Sequence, residues 1–149
     1  MCMKGVYILV LRMKENKNIC VGKLGMFHFR SGYYAYVGSA RGPGGFKRVE
    51  RHFNVFSGKI KTRKWHIDYL LPYPEIICAV LVPTDADLEC SVSSALGTFL
   101  EGIKGFGCSD CRCNTHLYFS ENDMKDKIID SCRMLTGNES IIMTPDVHE

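Results

Sequence analysis

The sequence lacks several features that define whole classes of proteins. Its 149 residues contain no apolar run near the roughly 20 residues that a membrane-spanning helix needs. The first residues, MCMK, lead straight into a strand-like segment without a cleavable signal pattern. No internal repeat and no linker divides the chain. We therefore expect one domain that does not enter a membrane and that is located in the cytoplasm.

The eight cysteines do not indicate a disulfide scaffold. Without a secretory signal, the chain is expected in a reducing compartment, where thiols mostly stay reduced. A chain of this length can bury a core without covalent cross-links. Its hydrophobic content of 46% and charged content of 23% are ordinary for a globular protein. The sequence therefore predicts a domain held together by a hydrophobic core.

The net positive charge comes from one segment. The formal net charge is only +3, yet residues 41–66 hold eight Lys or Arg and one acid. That segment carries +7, which leaves −4 for the rest of the chain. A local cationic block on a nearly neutral protein is typical of a surface that binds a polyanion. The alternative is an ordinary solvated helix and loop, because charge alone does not decide between them.

The hydrophobic pattern predicts a mixture of strands and helices. Buried or alternating strands are expected over residues 4–12, 33–38, 75–82 and 116–119, with a hairpin inserted between residues 19 and 29. Helices are expected over residues 46–56, 65–71, 88–99 and 124–135. No periodicity is visible after Thr136. The pattern therefore indicates a single α+β domain over residues 1–135 and a loosely ordered C-terminal tail over residues 136–149.

One set of side chains combines the groups that phosphodiester hydrolysis requires: Tyr7, Tyr36, Arg48, His52 and Glu89. The reaction needs an activated water, stabilisation of charge on the phosphorane and help for the leaving oxygen. An arginine suits the phosphorane because its fork matches phosphate oxygens. A carboxylate can hold Mg²⁺ at the leaving oxygen. A tyrosine has an ordinary pKa of about 10 and needs a nearby cation or histidine to act on water.

Two tripeptides, Gly5-Val6-Tyr7 and Tyr36-Val37-Gly38, place the tyrosines beside glycines in strand-like segments. Together with the segments GYYAYVGSARGPGG, WHIDYLL and GCSDCRCNTHL, they resemble the GIY-YIG nuclease family. Within that family they are most similar to the small, single-domain branch of Uri-type endonucleases. The resemblance covers roughly residues 4–119. It implies a three-stranded antiparallel sheet flanked by helices, which the N-terminal β-hairpin would extend in this chain.

The resemblance also implies a role for each residue of the set. Tyr7 and Tyr36 would point into one site, where Tyr7, aided by Tyr36 and His52, positions or deprotonates water. Arg48 would stabilise the phosphorane, and Glu89 would hold a single Mg²⁺ or Mn²⁺. Spacing alone selects Arg48 over Arg51, so Arg51 stays an alternative. Tyr7 and Tyr36 as half-buried sheet residues, and Glu89 as a partner of the helix dipole, also stay open.

The expected partner is nucleic acid, with DNA favoured over RNA. We expect contacts from the following residues: Arg41, Lys47, Arg51, Lys61, Arg63, Lys64 and His66. The chain has no evident second DNA-reading domain, so we expect sequence specificity to be low or to be supplied by a partner protein. These interpretations predict a metal-dependent endonuclease. The main alternative is a non-catalytic nucleic-acid-binding module of the same fold.

A second cluster of candidate ligands is Cys108-x-x-Cys111-x-Cys113-x-x-His116. Sulfur and imidazole ligands suit tetrahedral Zn²⁺. However, four ligands within nine residues leave little chain to wrap around a metal ion. Three interpretations stay open: a structural zinc site, a support or substrate contact beside the catalytic site, and plain packing. A zinc-stabilised interaction domain is therefore a third functional class.

Overall fold

The structure is a computed structural model that describes residues 3–107 and 115–145. Across these residues the fold is α+β, with eight strands and four helices. The strands are β1 (Gly5–Met13), β2 (Lys17–Cys20), β3 (Met26–Phe29), β4 (Gly32–Ser39), β5 (Glu75–Pro83), β6 (Glu101–Gly102), β7 (Leu117–Ser120) and β8 (Ile141–Met143). The helices are α1 (Lys47–Ser57), α2 (His66–Leu70), α3 (Glu89–Leu96) and α4 (Lys125–Thr136).

Six of the described strands form one antiparallel sheet in the order β6-β7-β4-β1-β5-β8. The sequence predicts a sheet of three strands, and the structure corrects this number. The three central strands, β4, β1 and β5, are the longest, with eight or nine residues each. The added strands β6 and β8 have two and three residues, which is too short to show a period.

The predicted N-terminal hairpin is confirmed. Strands β2 and β3 pair with each other as a separate two-stranded sheet, with Cys20 opposite Met26. A single 3₁₀ turn over Gly22–Leu24 connects them. Ile19 and Phe29 are buried from this hairpin and join the core. The insertion between the two tripeptides therefore packs as a unit of its own and leaves the pairing of β1 with β4 continuous.

Strand β1 lies at the centre of the sheet and is buried on both faces. Leu9 and Leu11 belong to one core cluster, which also contains buried residues of α1 and α2. Ile8 and Val10 belong to a second cluster with buried residues of α3 and α4. Burial on both faces explains why this strand reads as a nearly continuous apolar run. The sheet is thus the middle of three layers, with α1 and α2 on one side and α3 and α4 on the other.

The segment after Thr136 contains strand β8, where the sequence predicts a loosely ordered tail. Ile141 pairs with Leu81, and Met143 pairs with Ala79, at the edge of the sheet. Helix α4 ends with Gly137 in the left-handed conformation, a common helix terminator. None of the described helices is long and apolar enough to cross a membrane.

Candidate active site

The pairing of β1 with β4 places Tyr7 opposite Gly38. A Cβ atom at Gly38 would overlap the Tyr7 ring at its hydroxyl-bearing end. Only a residue without a side chain leaves this space to the phenol. The glycine of the second tripeptide therefore has a direct physical role, because it allows the tyrosine of the first tripeptide to lie against β4.

Tyr7 and His52 form a buried pair. The Tyr7 hydroxyl oxygen lies 2.7 Å from Nε2 of His52, and both side chains are almost completely buried. Burial lowers the pKa of His52 from 6.5 to about 4. Burial, followed by the proximity of Tyr36, raises the pKa of Tyr7 well above 10, although Arg48 opposes the change. Both groups are therefore uncharged near neutral pH and share one proton in their hydrogen bond.

The second ring nitrogen of His52, Nδ1, is buried and has no hydrogen-bond partner among the described residues. A buried polar atom without a hydrogen-bond partner destabilises the folded protein, and such atoms are rare in native structures. The destabilisation is smaller if Nδ1 is the unprotonated nitrogen, and it is larger if Nδ1 carries a proton that has no acceptor. The choice of tautomer thus depends on the hydrogen bond to Tyr7, which a substrate in the cavity can change.

Arg48 projects from the first turn of α1 toward the end of β4. Its Nη1 donates a hydrogen bond of 2.9 Å to the carbonyl oxygen of Ser39. Its guanidinium carbon lies 4.8 Å from the centre of the Trp65 ring. These contacts on two sides hold the guanidinium in place while the residue as a whole stays exposed.

Arg51, the alternative arginine, is engaged differently. It makes two hydrogen bonds, of 3.0 and 3.1 Å, to the carboxylate of the completely buried Asp68. Asp68 also accepts the backbone N–H groups of Lys64 and Trp65 at the start of α2. Burial alone would raise the pKa of Asp68, but the hydrogen bonds from Arg51, Lys64 and Trp65 hold it below its usual value. Arg51 is therefore part of a structural ion pair between α1 and α2.

Trp65 connects the two arginines. The guanidinium carbons of Arg48 and Arg51 lie 4.8 and 4.5 Å from its ring centre, and the Lys64 amine nitrogen lies 4.8 Å away. Cations at such distances are attracted to the electron-rich face of the indole. The sequence pattern assigns Trp65 no role in the site, so its contact with three cations was missed.

One cavity of about 270 Å³ contains all five predicted catalytic residues. Its lining consists of Tyr7, Tyr36, Gly38, Ser39, Arg48, His52, Lys64, Trp65, His66, Glu89, Gly107 and His116. The members come from both helical layers, since Arg48 and His52 are on α1 and Glu89 is on α3. The cavity therefore combines two phenols, a guanidinium, a carboxylate and three imidazoles.

Glu89 and His116 face each other in this cavity. Oε2 of Glu89 lies 3.4 Å from Nδ1 of His116, and the Glu89 side chain is about a quarter exposed. Burial lowers the pKa of His116, which favours the neutral imidazole. The backbone holds His116 from two sides, because its N–H donates to Phe106 and its carbonyl accepts from Val37. The structure thus places His116, predicted as a zinc ligand or a support, beside the predicted metal ligand.

The other predicted nucleic-acid contacts have several surroundings. Lys64 and His66 line the cavity, and Nδ1 of His66 accepts the backbone N–H of Gly107 at 3.2 Å. Arg41 lies 3.5 Å from Asp87 in an exposed ion pair. The remaining three residues of this set, apart from Arg51, are exposed outside the cavity lining: Lys47, Lys61 and Arg63.

Cys108, Cys111 and Cys113 lie outside the described residues, so the zinc cluster stays a prediction. Within residues 3–107 and 115–145, no group of three or more His, Cys, Asp or Glu side chains is close enough to hold a metal ion.

These features define an α+β protein with a cavity that is lined by acidic, basic and aromatic side chains. Residues 6–137 match the family described as Domain of unknown function DUF123, and the chain belongs to this family. The match includes every residue that lines the cavity. No curated protein and no solved structure matches the chain.

Proposed function

We propose that the protein is a metal-dependent endonuclease of the GIY-YIG type that hydrolyses phosphodiester bonds in nucleic acid, with DNA as the favoured substrate. The observation that carries this proposal is the meeting of Tyr7, Tyr36, Arg48, His52 and Glu89 in one cavity. These residues are distant in sequence, and they supply the separate groups that the reaction needs. The resemblance of the two tripeptides and their flanking segments to that nuclease family supports the same conclusion.

The Tyr7–His52 hydrogen bond supports a role in activating water. Because its pKa is high, Tyr7 is not a phenolate in the resting protein. In the tautomer with the His52 proton on Nδ1, the phenol oxygen can still accept a proton from water as its own proton passes to the unprotonated Nε2 of His52. The imidazolium that forms is stabilised by the charge of Asp68 and destabilised by Arg51 and Arg48. In this proposal Tyr7 and His52 act as one proton acceptor, and Tyr36 positions the water.

The position of Arg48 supports a role in binding the scissile phosphate. A guanidinium has five N–H donors, and the hydrogen bond to Ser39 uses one of them. The remaining donors can bind two phosphate oxygens at once, as charge on them grows in the phosphorane. Trp65 on one side and Ser39 on another limit the motion of the guanidinium. Removal of one preorganised donor of this kind typically lowers the catalytic rate by about 10²–10³-fold.

Glu89 is the residue proposed to hold Mg²⁺ or Mn²⁺. Its carboxylate lines the cavity and is partly exposed, and oxygen ligands of this kind are what both cations prefer. A bound divalent cation supplies positive charge at the leaving oxygen. The cavity therefore offers a guanidinium, which favours phosphate, and a carboxylate, which favours a cation.

The experiment that tests the proposal is a cleavage assay on labelled single-stranded, duplex and branched DNA and RNA. Each substrate is incubated with Mg²⁺, with Mn²⁺ or with EDTA. We expect cleavage only with a divalent cation, and a loss of at least 100-fold in Glu89→Ala. Glu50→Ala is the matched control, because Glu50 is an exposed acid of α1 that does not line the cavity. Full cleavage by Glu89→Ala would overturn the proposal.

A second candidate function is a non-catalytic nucleic-acid-binding module. The exposed cationic residues of the 41–66 segment favour it, because they can bind phosphates without any chemistry. Under this alternative, the same panel would show binding that weakens with salt and no metal-dependent product. A partner protein would then have to supply the cleavage step.

A further inference from the structure

Glu89 and His116 present a carboxylate and an imidazole to the same point of the cavity. We propose that these two residues are joint ligands of one divalent cation, and that the imidazole makes the site selective for Mn²⁺, Co²⁺ or Zn²⁺ over Mg²⁺. The inference rests on the proposed function for the presence of a cation, and it adds a second ligand and a preferred class of metal.

The separation of the two ligand atoms fits a shared cation. Oε2 of Glu89 and Nδ1 of His116 are 3.4 Å apart. A cation at about 2.1 Å from each atom would subtend an angle of about 110°, which tetrahedral and distorted octahedral sites accept. A direct N–H···O hydrogen bond usually has a donor–acceptor distance of 2.7–3.2 Å. The observed separation of 3.4 Å lies just above this range and is also suitable for two ligands of one ion.

A buried polar network fixes the two ligands relative to each other. Ser93 lies one turn after Glu89 on α3, and its hydroxyl donates to the carbonyl of Thr115, the residue before His116, at 2.9 Å. The same hydroxyl lies 2.6 Å from the Tyr118 hydroxyl. Ser93 is completely buried, and Thr115 and Tyr118 are nearly so. This network supplies the outer support that metal ligands generally need.

The imidazole of His116 is enclosed by its surroundings. Gly107 leaves room beside it, because a Cβ there would lie 3.5 Å from the Cβ of His116 and 3.2 Å from the Tyr36 ring. The His116 side chain is only 4% exposed. The ring therefore has little freedom to turn away, and one of its nitrogens is directed at the Glu89 carboxylate.

The chemistry of the pair determines which metals it prefers. Mg²⁺ takes oxygen ligands in near-octahedral geometry and keeps several waters. Imidazole is a good ligand for Zn²⁺ and other transition metals, whose affinity rises from Mn²⁺ toward Zn²⁺. At a site with one carboxylate and one neutral imidazole, the imidazole thus adds little to the affinity for Mg²⁺. We expect at least tenfold tighter binding of Mn²⁺ than of Mg²⁺.

The test is metal binding by the full chain in the absence of substrate, measured by calorimetry and by pulsed EPR with Mn²⁺. We expect the EPR signal to show coupling to an imidazole ¹⁴N nucleus, which is lost in His116→Ala together with at least tenfold in Mn²⁺ affinity. Glu89→Ala should lose the same site. His28→Ala is the matched control, because His28 is an exposed histidine of the β2–β3 hairpin.

The variants must first be shown to fold by their thermal unfolding. If His116→Ala does not fold, His116→Gln replaces it, because the amide keeps a polar side chain and lacks the imidazole nitrogen. Imidazole coupling that persists in the His116 variant, equal binding of Mn²⁺ and Mg²⁺ by the wild type, or no Mn²⁺ binding would each overturn the inference. The nuclease proposal is judged separately, since metal-dependent cleavage without imidazole coupling would sink only the joint site. Imidazole coupling without cleavage would sink only the nuclease.

Discussion

At the scale of single residues, Gly38 shows how one missing side chain permits the site to form. It lies opposite Tyr7, and a Cβ atom there would overlap the phenol ring. The tripeptide resemblance singles out this glycine from the sequence, but it does not explain why a glycine is needed. The reason appears only when β1 and β4 are paired, because the colliding atoms are 31 positions apart in the chain.

We expect Gly38→Ala to lower the free energy of unfolding by about 1–3 kcal/mol, as overpacking in a tight site does. The displaced Tyr7 should also lose its hydrogen bond to His52, so any cleavage activity should fall with it. Gly42→Ala is the matched control, since Gly42 has no atoms within 4 Å of an added Cβ and no positive φ. Chemical denaturation measures the effect. Equal stability of the two variants would contradict the packing account.

His52 makes the stability of the protein depend on pH. Its pKa is about 4 in the folded protein and 6.5 in the unfolded chain, so the unfolded chain binds the proton first as the pH falls. The free energy of unfolding should therefore decrease between pH 7 and pH 4, by up to about 3 kcal/mol from this residue. Asp68, Arg51 and Arg48 are the charged groups that act on it.

The measurement is urea denaturation from pH 4 to pH 7 for the wild type and His52→Gln. The variant should lose the part of the pH dependence that belongs to His52, so the difference between the two proteins should narrow as the pH falls. His28→Gln, at an exposed position, should follow the wild type. Parallel curves for the wild type and His52→Gln would show that His52 is not buried in its neutral form.

At the scale of elements, α1 and α2 are joined by an ion pair that the sequence did not predict. Arg51 was expected to contact nucleic acid, and Asp68 was not expected to accept hydrogen bonds from Arg51 and from the start of α2. Helical periodicity places a residue on one face of its own helix and says nothing about the facing helix. The pair therefore depends on packing that local patterns do not contain.

We expect Asp68→Ala to destabilise the protein by about 3–5 kcal/mol, because it leaves a partly buried guanidinium without its partner. Asp68→Asn should cost less, since an amide oxygen can still accept backbone N–H groups. Asp87→Ala should change stability little, because Asp87 and Arg41 form an exposed pair. Thermal unfolding of the three variants checks this order. An Asp68→Ala variant as stable as Asp87→Ala would contradict the account.

The elements themselves were predicted unevenly from the sequence. The hairpin, the three central strands and the four helices have strong periodic or turn signals, and all of them are present. The sheet has six strands instead of three because β7, at a predicted strand, pairs with β4, and because the short strands β6 and β8 acquire their geometry from β7 and β5. Short edge strands of this kind are set by tertiary pairing, which a single sequence does not display.

At the scale of the whole molecule, the cavity lies where the two helical layers meet the central sheet. Arg48 and His52 come from the layer of α1 and α2, whereas Glu89 comes from the layer of α3 and α4. The resemblance to a nuclease family predicts that these residues share one site. Their distances, the burial of the Tyr7–His52 pair and the approach of His116 to Glu89 are set by long-range packing and could not be predicted.

The charge distribution of the whole molecule agrees with a polyanionic partner. The 41–66 segment carries +7 and borders the cavity through Arg48 and Lys64. The rest of the chain carries −4, and two of its acids, Asp68 and Asp87, pair with Arg51 and Arg41 of that segment. In the proposed function, the cations of this segment would guide nucleic acid toward Arg48.

The most direct test of the central claim is the single-turnover cleavage rate of Arg48→Ala at saturating substrate. Lys47→Ala is the matched control, because Lys47 is the adjacent cation of α1 and lies outside the cavity lining. We predict a loss of about 10²–10³-fold in the Arg48 variant, with unchanged thermal unfolding, and a rate within a few-fold of wild type for the Lys47 variant. Equal rates for the two variants, or metal-independent cleavage by both, would contradict a phosphodiesterase site centred on Arg48.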